Sequence, residues 1–248
     1  METANETSLE WQKQIAGFIC SEEATLPNKH LIAQNISNFR CKVTQVNPQV
    51  SILNFHYAYP EVVAINYGWN RVASYDESGF LNVPPDAGYR REAWSFLLAG
   101  GGIYDGLDLS ITVGKEDGTD EAPVGTAGGS PALRRQLGIL KRFLQSFDFP
   151  RMQPDTSFVR TSPGAIMRGL SRTGEQYALY LTGKGVCPLE VNLPKGEYRV
   201  EWVDTTSGSV VKSEDLNHSG GLRILASPEF SLDIALAIKK RGGEAAQP

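Results

Sequence analysis

The chain is poor in the residues that build covalent staples and metal centres. Its 248 residues include three cysteines, Cys20, Cys41 and Cys187, and three histidines, His30, His56 and His218, all far apart. An odd number of distant thiols argues against a disulfide framework or a zinc site. Three unpaired thiols, no metal and no bound cofactor are therefore expected. Basic charge is not in excess either: 24 Lys and Arg stand against 28 Asp and Glu, a formal net charge of −4. With no basic stripe, nucleic acid is not the expected partner. No uninterrupted apolar run approaches the ~18 residues that cross a bilayer, so no membrane span is expected. The opening Met1-Glu-Thr-Ala-Asn-Glu6 is acidic and polar, without the form of a secretion signal. What is present is apolar content of 41%, enough for a real core, in a length that suits one large domain or two ordinary ones.

The first 150 residues alternate between two periodicities. Thr7-Ser-Leu-Glu10 has the form of a capping box, and Trp11, Ile15, Phe18 and Ile19 then fall on one face, predicting an amphipathic helix from Ser8 to about Glu23. His30–Ile36 is a short apolar run closing on Gln34 and Asn35, and reads as a buried parallel strand. A second run, Val50–Tyr57, ends on His56 and Tyr57. A third, Arg71–Glu77, ends on adjacent carboxylates, with Ser78-Gly79 stopping it. Asp86 opens a helix with Ala93, Trp94, Leu97 and Leu98 as its buried side. Gly100-Gly101-Gly102 breaks it, and Ile103–Asp108 reads as a fourth strand. Residues 111–129, rich in Gly, Asp and Thr, read as a long surface loop. Ser130-Pro131 caps a last helix, whose stripe is Leu133, Leu137, Leu140 and Leu144, with Arg134, Arg135, Lys141 and Arg142 toward water. Such alternation implies a parallel α/β layer over residues 1–150.

After Phe149-Pro150 the pattern changes. Leu189, Val191 and Leu193 alternate with polar neighbours, as do Tyr198, Val200 and Trp202, and Pro194-Lys-Gly196 and Asp204–Gly208 are turn sequences. Residues 151–240 therefore predict an all-β, antiparallel β-sandwich, and residues 241–248 a disordered tail.

Glu77 is the residue on which a function can be built, because barrel enzymes place their chemistry at the C-terminal tips of strands. Its plain alternative is an ordinary strand-end acid. The order and spacing of His30-Leu-Ile-Ala-Gln-Asn35, Asn54-Phe-His-Tyr-Ala58, Tyr75–Phe80 and Tyr89-Arg-Arg-Glu-Ala-Trp94 through Ala99–Tyr104 resemble the second half of an apiosidase-like glycoside hydrolase barrel. Glu201-Trp-Val-Asp-Thr-Thr-Ser-Gly208 resembles a stretch of the β-sandwich that follows such barrels, labelled a collagen-binding domain of a collagenase. The resemblance covers residues 8–240 and implies a partial (β/α)₈ barrel made of strands five to eight. It implies Glu77 as the nucleophile of a retaining glycosidase, with Asn35, His56, Tyr57 and Tyr104 at strand tips where sugar hydroxyls bind. An oligo- or polysaccharide substrate follows, and export from the cell if its relatives are exported.

The departure from that family is the acid/base on strand four, since strands one to four are missing. Glu6 in Asn5-Glu6 is either its remnant or a frayed helix-start carboxylate. Asp76 is a poor partner for Glu77, because strand neighbours point to opposite faces; Asp105 and Asp108 would line the pocket. His56 would serve a sugar or Glu77, or be a satisfied strand-end histidine. Trp69 and Trp94 form a sugar platform or pack helices, and Trp202 is sandwich core or a platform. The glycine triplet lacks the Lys-Ser/Thr of a phosphate loop and fits close helix–strand packing. Two functions follow: a fragment of a retaining glycoside hydrolase, inactive as given and prone to association through unpaired barrel edges; or a non-catalytic protein whose β-sandwich binds carbohydrate or protein.

Overall fold

The computed structural model describes residues 6–36, 40–77, 85–106, 109–122 and 129–242, of which 6, 7 and 85 by backbone alone. The architecture is a mixed α/β fold: one four-stranded parallel sheet with its helices, then two antiparallel sheets. Helix α1 (Glu6–Glu22) leads to β1 (Ala33–Ile36) and β2 (Ile52–His56). Helix α2 (Glu61–Asn66) and a 3₁₀ turn, Tyr67–Trp69, connect to β3 (Val72–Glu77). Helix α3 (Pro85–Leu97), β4 (Ile103–Tyr104) and α4 (Pro131–Gln145) complete this region. The sheet order is β1-β2-β3-β4, all parallel where paired.

One face of that sheet carries its core. Leu53 and Phe55 on β2 and Ala73 and Tyr75 on β3 are packed with Val62, Val63 and Phe96 from α2 and α3. The alternate residues, Asn35, Asn54, Ser74 and Ile103, stand in register across the other face. The burial of β1 alternates instead of being continuous, so it is covered on one face only, not the fully buried strand that its apolar run predicts. The fourth strand is two residues long, shorter than Ile103–Asp108, and Asp108 lies outside the described residues.

Four local predictions have clear physical outcomes. Ser130 caps α4 as its position implies, accepting from the Leu133 amide at 2.9 Å, with proline in the first turn. It also donates to Asp86 Oδ2 at 2.7 Å, which ties the starts of α3 and α4 together. Arg134 does not simply face water. It reaches back to the carbonyl oxygens of Gly118 and, at 3.0 Å, Asp120, and so pins the loop before α4. A Cβ on Gly101 would come within 2.2 Å of the ring of Phe96 in the last turn of α3, a contact local to the helix end, whereas one on Gly102 would meet the Val72 side chain of β3 at 2.8 Å. At the N-terminus, α1 already includes Thr7, so the threonine is inside the first turn rather than at the cap.

The antiparallel region has a six-stranded sheet, order β11-β10-β13-β8-β7-β5, and a three-stranded one, order β12-β9-β6. The first holds β5 (Gln153–Pro154), β7 (Ala165–Arg172), β8 (Gln176–Gly183), β10 (Gly196–Val203), β11 (Val210–His218) and β13 (Asp233–Lys240). The second holds β6 (Val159–Thr161), β9 (Pro188–Leu193) and β12 (Gly221–Ala226). Leu189, Val191 and Leu193 share one buried cluster with Leu179, Trp202 and Leu236 of the larger sheet. The opposite face of the larger sheet, through Leu170, Tyr180 and Ala235, packs under α3 and α4 against Trp94, Leu140 and Phe143.

Candidate active site

The strand alternation that buries Leu53 and Phe55 against the helices places Asn54, itself buried, and the half-buried His56 on the opposite face of β2. Beside them on β3 the register slips: Phe55 pairs with Tyr75, but His56 pairs with Glu77, so Asp76 is an extra residue. A bulge of this kind re-aims side chains at a strand end. Here it turns both carboxylates to one imidazole. His56 Nδ1 lies 3.0 Å from Glu77 Oε2, and His56 Nε2 lies 3.2 Å from Asp76 Oδ1. The second contact is close but poorly aligned, and neither atom has a hydrogen-bond partner. Asp76 therefore corrects the simple alternation argument, which sends it to the helix layer or a loop. It still cannot pair with Glu77 across a glycosidic bond, because the imidazole stands between them.

Two further groups complete the cluster. Asn54 Nδ2 donates to Asp76 Oδ2 and to Asn35 Oδ1, the latter at 2.9 Å, so an amide bridge runs from β1 to β3. Tyr57, just past β2, has φ of 44°, left-handed backbone that a non-glycine residue seldom adopts. That turn brings its hydroxyl onto Glu77 Oε1, while its amide donates to the Glu77 carbonyl at 2.8 Å. The hydrogen bond to Glu77, then burial, then the carboxylate's charge push the Tyr57 hydroxyl above the ordinary tyrosine range. It stays a donor.

Of the five residues singled out from the sequence, Asn35, His56, Tyr57 and Glu77 come together. Tyr104 goes elsewhere. Its hydroxyl donates to Glu92 Oε2 on α3 at 2.9 Å, and its ring packs edge-on to Tyr75 at 5.7 Å. A two-residue β4 in register with Ser74 and Tyr75 leaves Tyr104 on the side of Tyr75, which is the helix side. Asn54 and Asp76 were missed. Asn54 carried a readable signal, since it is the one polar residue at period two from His56 in an otherwise apolar run; the bulge that recruits Asp76 has none. The side chain of Glu6, the alternative acid, lies outside the described residues, as do Ser78 and Gly79.

Three of the four tryptophans, Trp69, Trp94 and Trp202, make packing or hydrogen-bond contacts away from this cluster. Trp94 is fully buried, stacked on Tyr180 at 5.4 Å and 19°. Trp202 is fully buried in the core between the antiparallel sheets. Trp69 gives its ring N–H to the Val43 carbonyl at 2.9 Å, at the opposite end of β3 from Glu77.

No protein-family model matches the chain, and no curated protein matches it. Its fold is similar to solved glycoside hydrolases at low identity. A structure described as a glycoside hydrolase shares 16% identity at a TM-score of 0.64, over 95% of this chain and 70% of that one. A glycoside hydrolase family 5 protein from Bacteroides vulgatus shares 15% at 0.68, over 99% and 62%. A GH30 endoxylanase from Clostridium papyrosolvens shares 11% at 0.54, over 93% and 61%. The present chain thus spans 61% to 70% of the length of these proteins. At such identities the likeness is one of fold, and chemistry has to be argued from the side chains.

Proposed function

We propose that the protein belongs to a retaining glycoside hydrolase, in which the parallel sheet is the second half of a (β/α)₈ barrel and the antiparallel region a β-sandwich. The observation that carries this reading is the attachment of Glu77, at the C-terminal end of β3, to His56 and Tyr57 from the end of β2. In a barrel, strand C-termini are where reacting groups collect. A nucleophilic carboxylate needs one oxygen aimed at the anomeric carbon and the other restrained, and a phenol that stays protonated is suited to that restraint. Glu77 would attack the sugar, forming a glycosyl–enzyme ester while the leaving oxygen takes a proton from a second acid. Water, activated by the same group, would then release the sugar. Asn35, His56 and Tyr57 would hold sugar hydroxyls; Tyr104 would support the strand from behind. The apiosidase-like character is supported by the order of the sequence motifs.

Asp76 does not serve as the second acid, because the His56 imidazole stands between it and Glu77. The complementary strands would have to supply that acid, docking at β1 and β4, the outer strands of the sheet among the described residues. Exposed apolar surface supports this: Trp11 and Phe18, on the face of α1 expected to be buried, are each 62% exposed. On this reading the chain alone does not turn over substrate. In the assembled barrel, Glu77→Gln should abolish hydrolysis with the fold intact by circular dichroism, and a 2-fluoro glycoside should label the Glu77 peptide in the unmodified protein. Near-normal turnover by the variant, or a label elsewhere, would remove the assignment.

A further inference from the structure

Helix α3 is gripped from two sides by polar groups, buried on one side and half-buried on the other. On the side of the antiparallel sheets, Asp233 at the start of β13 accepts four hydrogen bonds. Arg90 Nε reaches Oδ2 at 3.1 Å and Arg90 Nη2 reaches Oδ1 at 3.0 Å. The Tyr180 hydroxyl donates to Oδ2 at 2.7 Å and the Thr205 hydroxyl to Oδ1 at 3.0 Å. Arg90 Nη1 adds a bond to Gln136 of α4 at 3.0 Å. The side chains of Arg90 and Asp233 are 6% and 3% exposed. Burial, with the neighbouring Asp233 carboxylate, raises the Tyr180 hydroxyl far above its usual range, so it remains a donor.

Two residues along, and so nearly opposite on the helix, Glu92 accepts from Tyr75 at 2.8 Å and from Tyr104 at 2.9 Å. Tyr75 lies two residues before Glu77, and its carbonyl takes the Asp105 amide at 2.8 Å. A buried ion pair tolerates little displacement, because any lost partner leaves a charge stranded in a poorly polarisable interior. Helix α3 is therefore held in one place by Asp233, and Glu92 passes that placement to both tyrosines.

We infer that Asp233 is a positioning residue for the Glu77 end of β3, acting across the interface through Arg90, α3 and the Glu92 tyrosine pair. The antiparallel region is then a fixed brace for the candidate site rather than a detachable binding module. The importance of this for catalysis rests on the reading of Glu77 as nucleophile; the placement itself does not.

Amide hydrogen exchange tests the placement without any need for activity. The Tyr57 amide, bonded to the Glu77 carbonyl, and the Asp105 amide, bonded to the Tyr75 carbonyl, report the strand ends. The Asn192 amide, bonded to the Phe158 carbonyl on the far side of the antiparallel core, is the control. Asp233→Asn should speed exchange at Tyr57 and Asp105 by about tenfold while Asn192 changes less than about twofold. Glu92→Gln should do the same, and the two together should add little. If Asp233→Asn does not fold, Tyr180→Phe removes a single donor and is read the same way, with a smaller rise of about threefold. Unchanged exchange at Tyr57 and Asp105 would overturn the proposal. So would an equal rise at all three amides, since that marks a loss of global stability alone.

Discussion

The parallel and antiparallel regions of this protein handle their surfaces in opposite ways. In the antiparallel region, Trp202, Leu189 and Leu236 are sealed between two sheets, and the other face of the larger sheet is roofed by α3 and α4. The parallel sheet has a single packed face, while its other face presents Asn35, Asn54, His56 and two carboxylates. The apolar side of α1 is uncovered as well. The contrast shows where to look for chemistry: the polar groups of the closed region are buried and paired, as at Arg90 and Asp233, whereas those around His56 are partly open to solvent.

Truncating large side chains in each region should widen or erase that contrast. Trp94→Ala removes a fully buried ring from the seam between the two regions and should cost about 3–5 kcal/mol in denaturant unfolding. A loss under about 1 kcal/mol would mean the seam is not cooperative with the rest. Tyr57→Phe deletes one partly solvated hydrogen bond to Glu77 and should cost about 0.5–1 kcal/mol. The sign with pH is fixed by the direction of the shift. Because the folded hydroxyl titrates above the unfolded one, its contribution is complete below about pH 10 and disappears as pH rises through the raised value. The difference between Tyr57→Phe and the unmodified protein should therefore vanish in strong alkali, and a difference that grows there would contradict the geometry. Phe18→Ser should change stability by about 0.5 kcal/mol or less, yet reduce concentration-dependent association in sedimentation. A cost like that of Trp94→Ala would show that the α1 face is covered in solution.

Much of this arrangement can be read from residue order. The period-two runs and their turns mark the antiparallel strands, Ser130-Pro131 marks the start of α4, and the run ending at Glu77 marks β3. Four of the five candidate residues that the family resemblance implies fit one rule, that polar side chains at the ends of apolar runs converge at one edge of a parallel sheet. The same rule fails for Tyr104, whose pairing with Tyr75 puts its side chain on the helix side, where it bonds Glu92. Trp94 illustrates a different limit. Helical spacing shows that it faces inward, but not that the surface awaiting it is Tyr180, from a strand more than eighty residues later.

Residue order settles what is local: which segments are helix or strand, where they stop, and that a carboxylate closes the third parallel run. Which of those ends meet is settled only when the chain is folded. The bulge at Asp76 brings two carboxylates to one histidine, and the Arg90–Asp233 pair joins positions 143 residues apart. Periodicity governs the direction of a side chain relative to its own backbone, whereas a register slip or a buried ion pair depends on a neighbour supplied by distant chain.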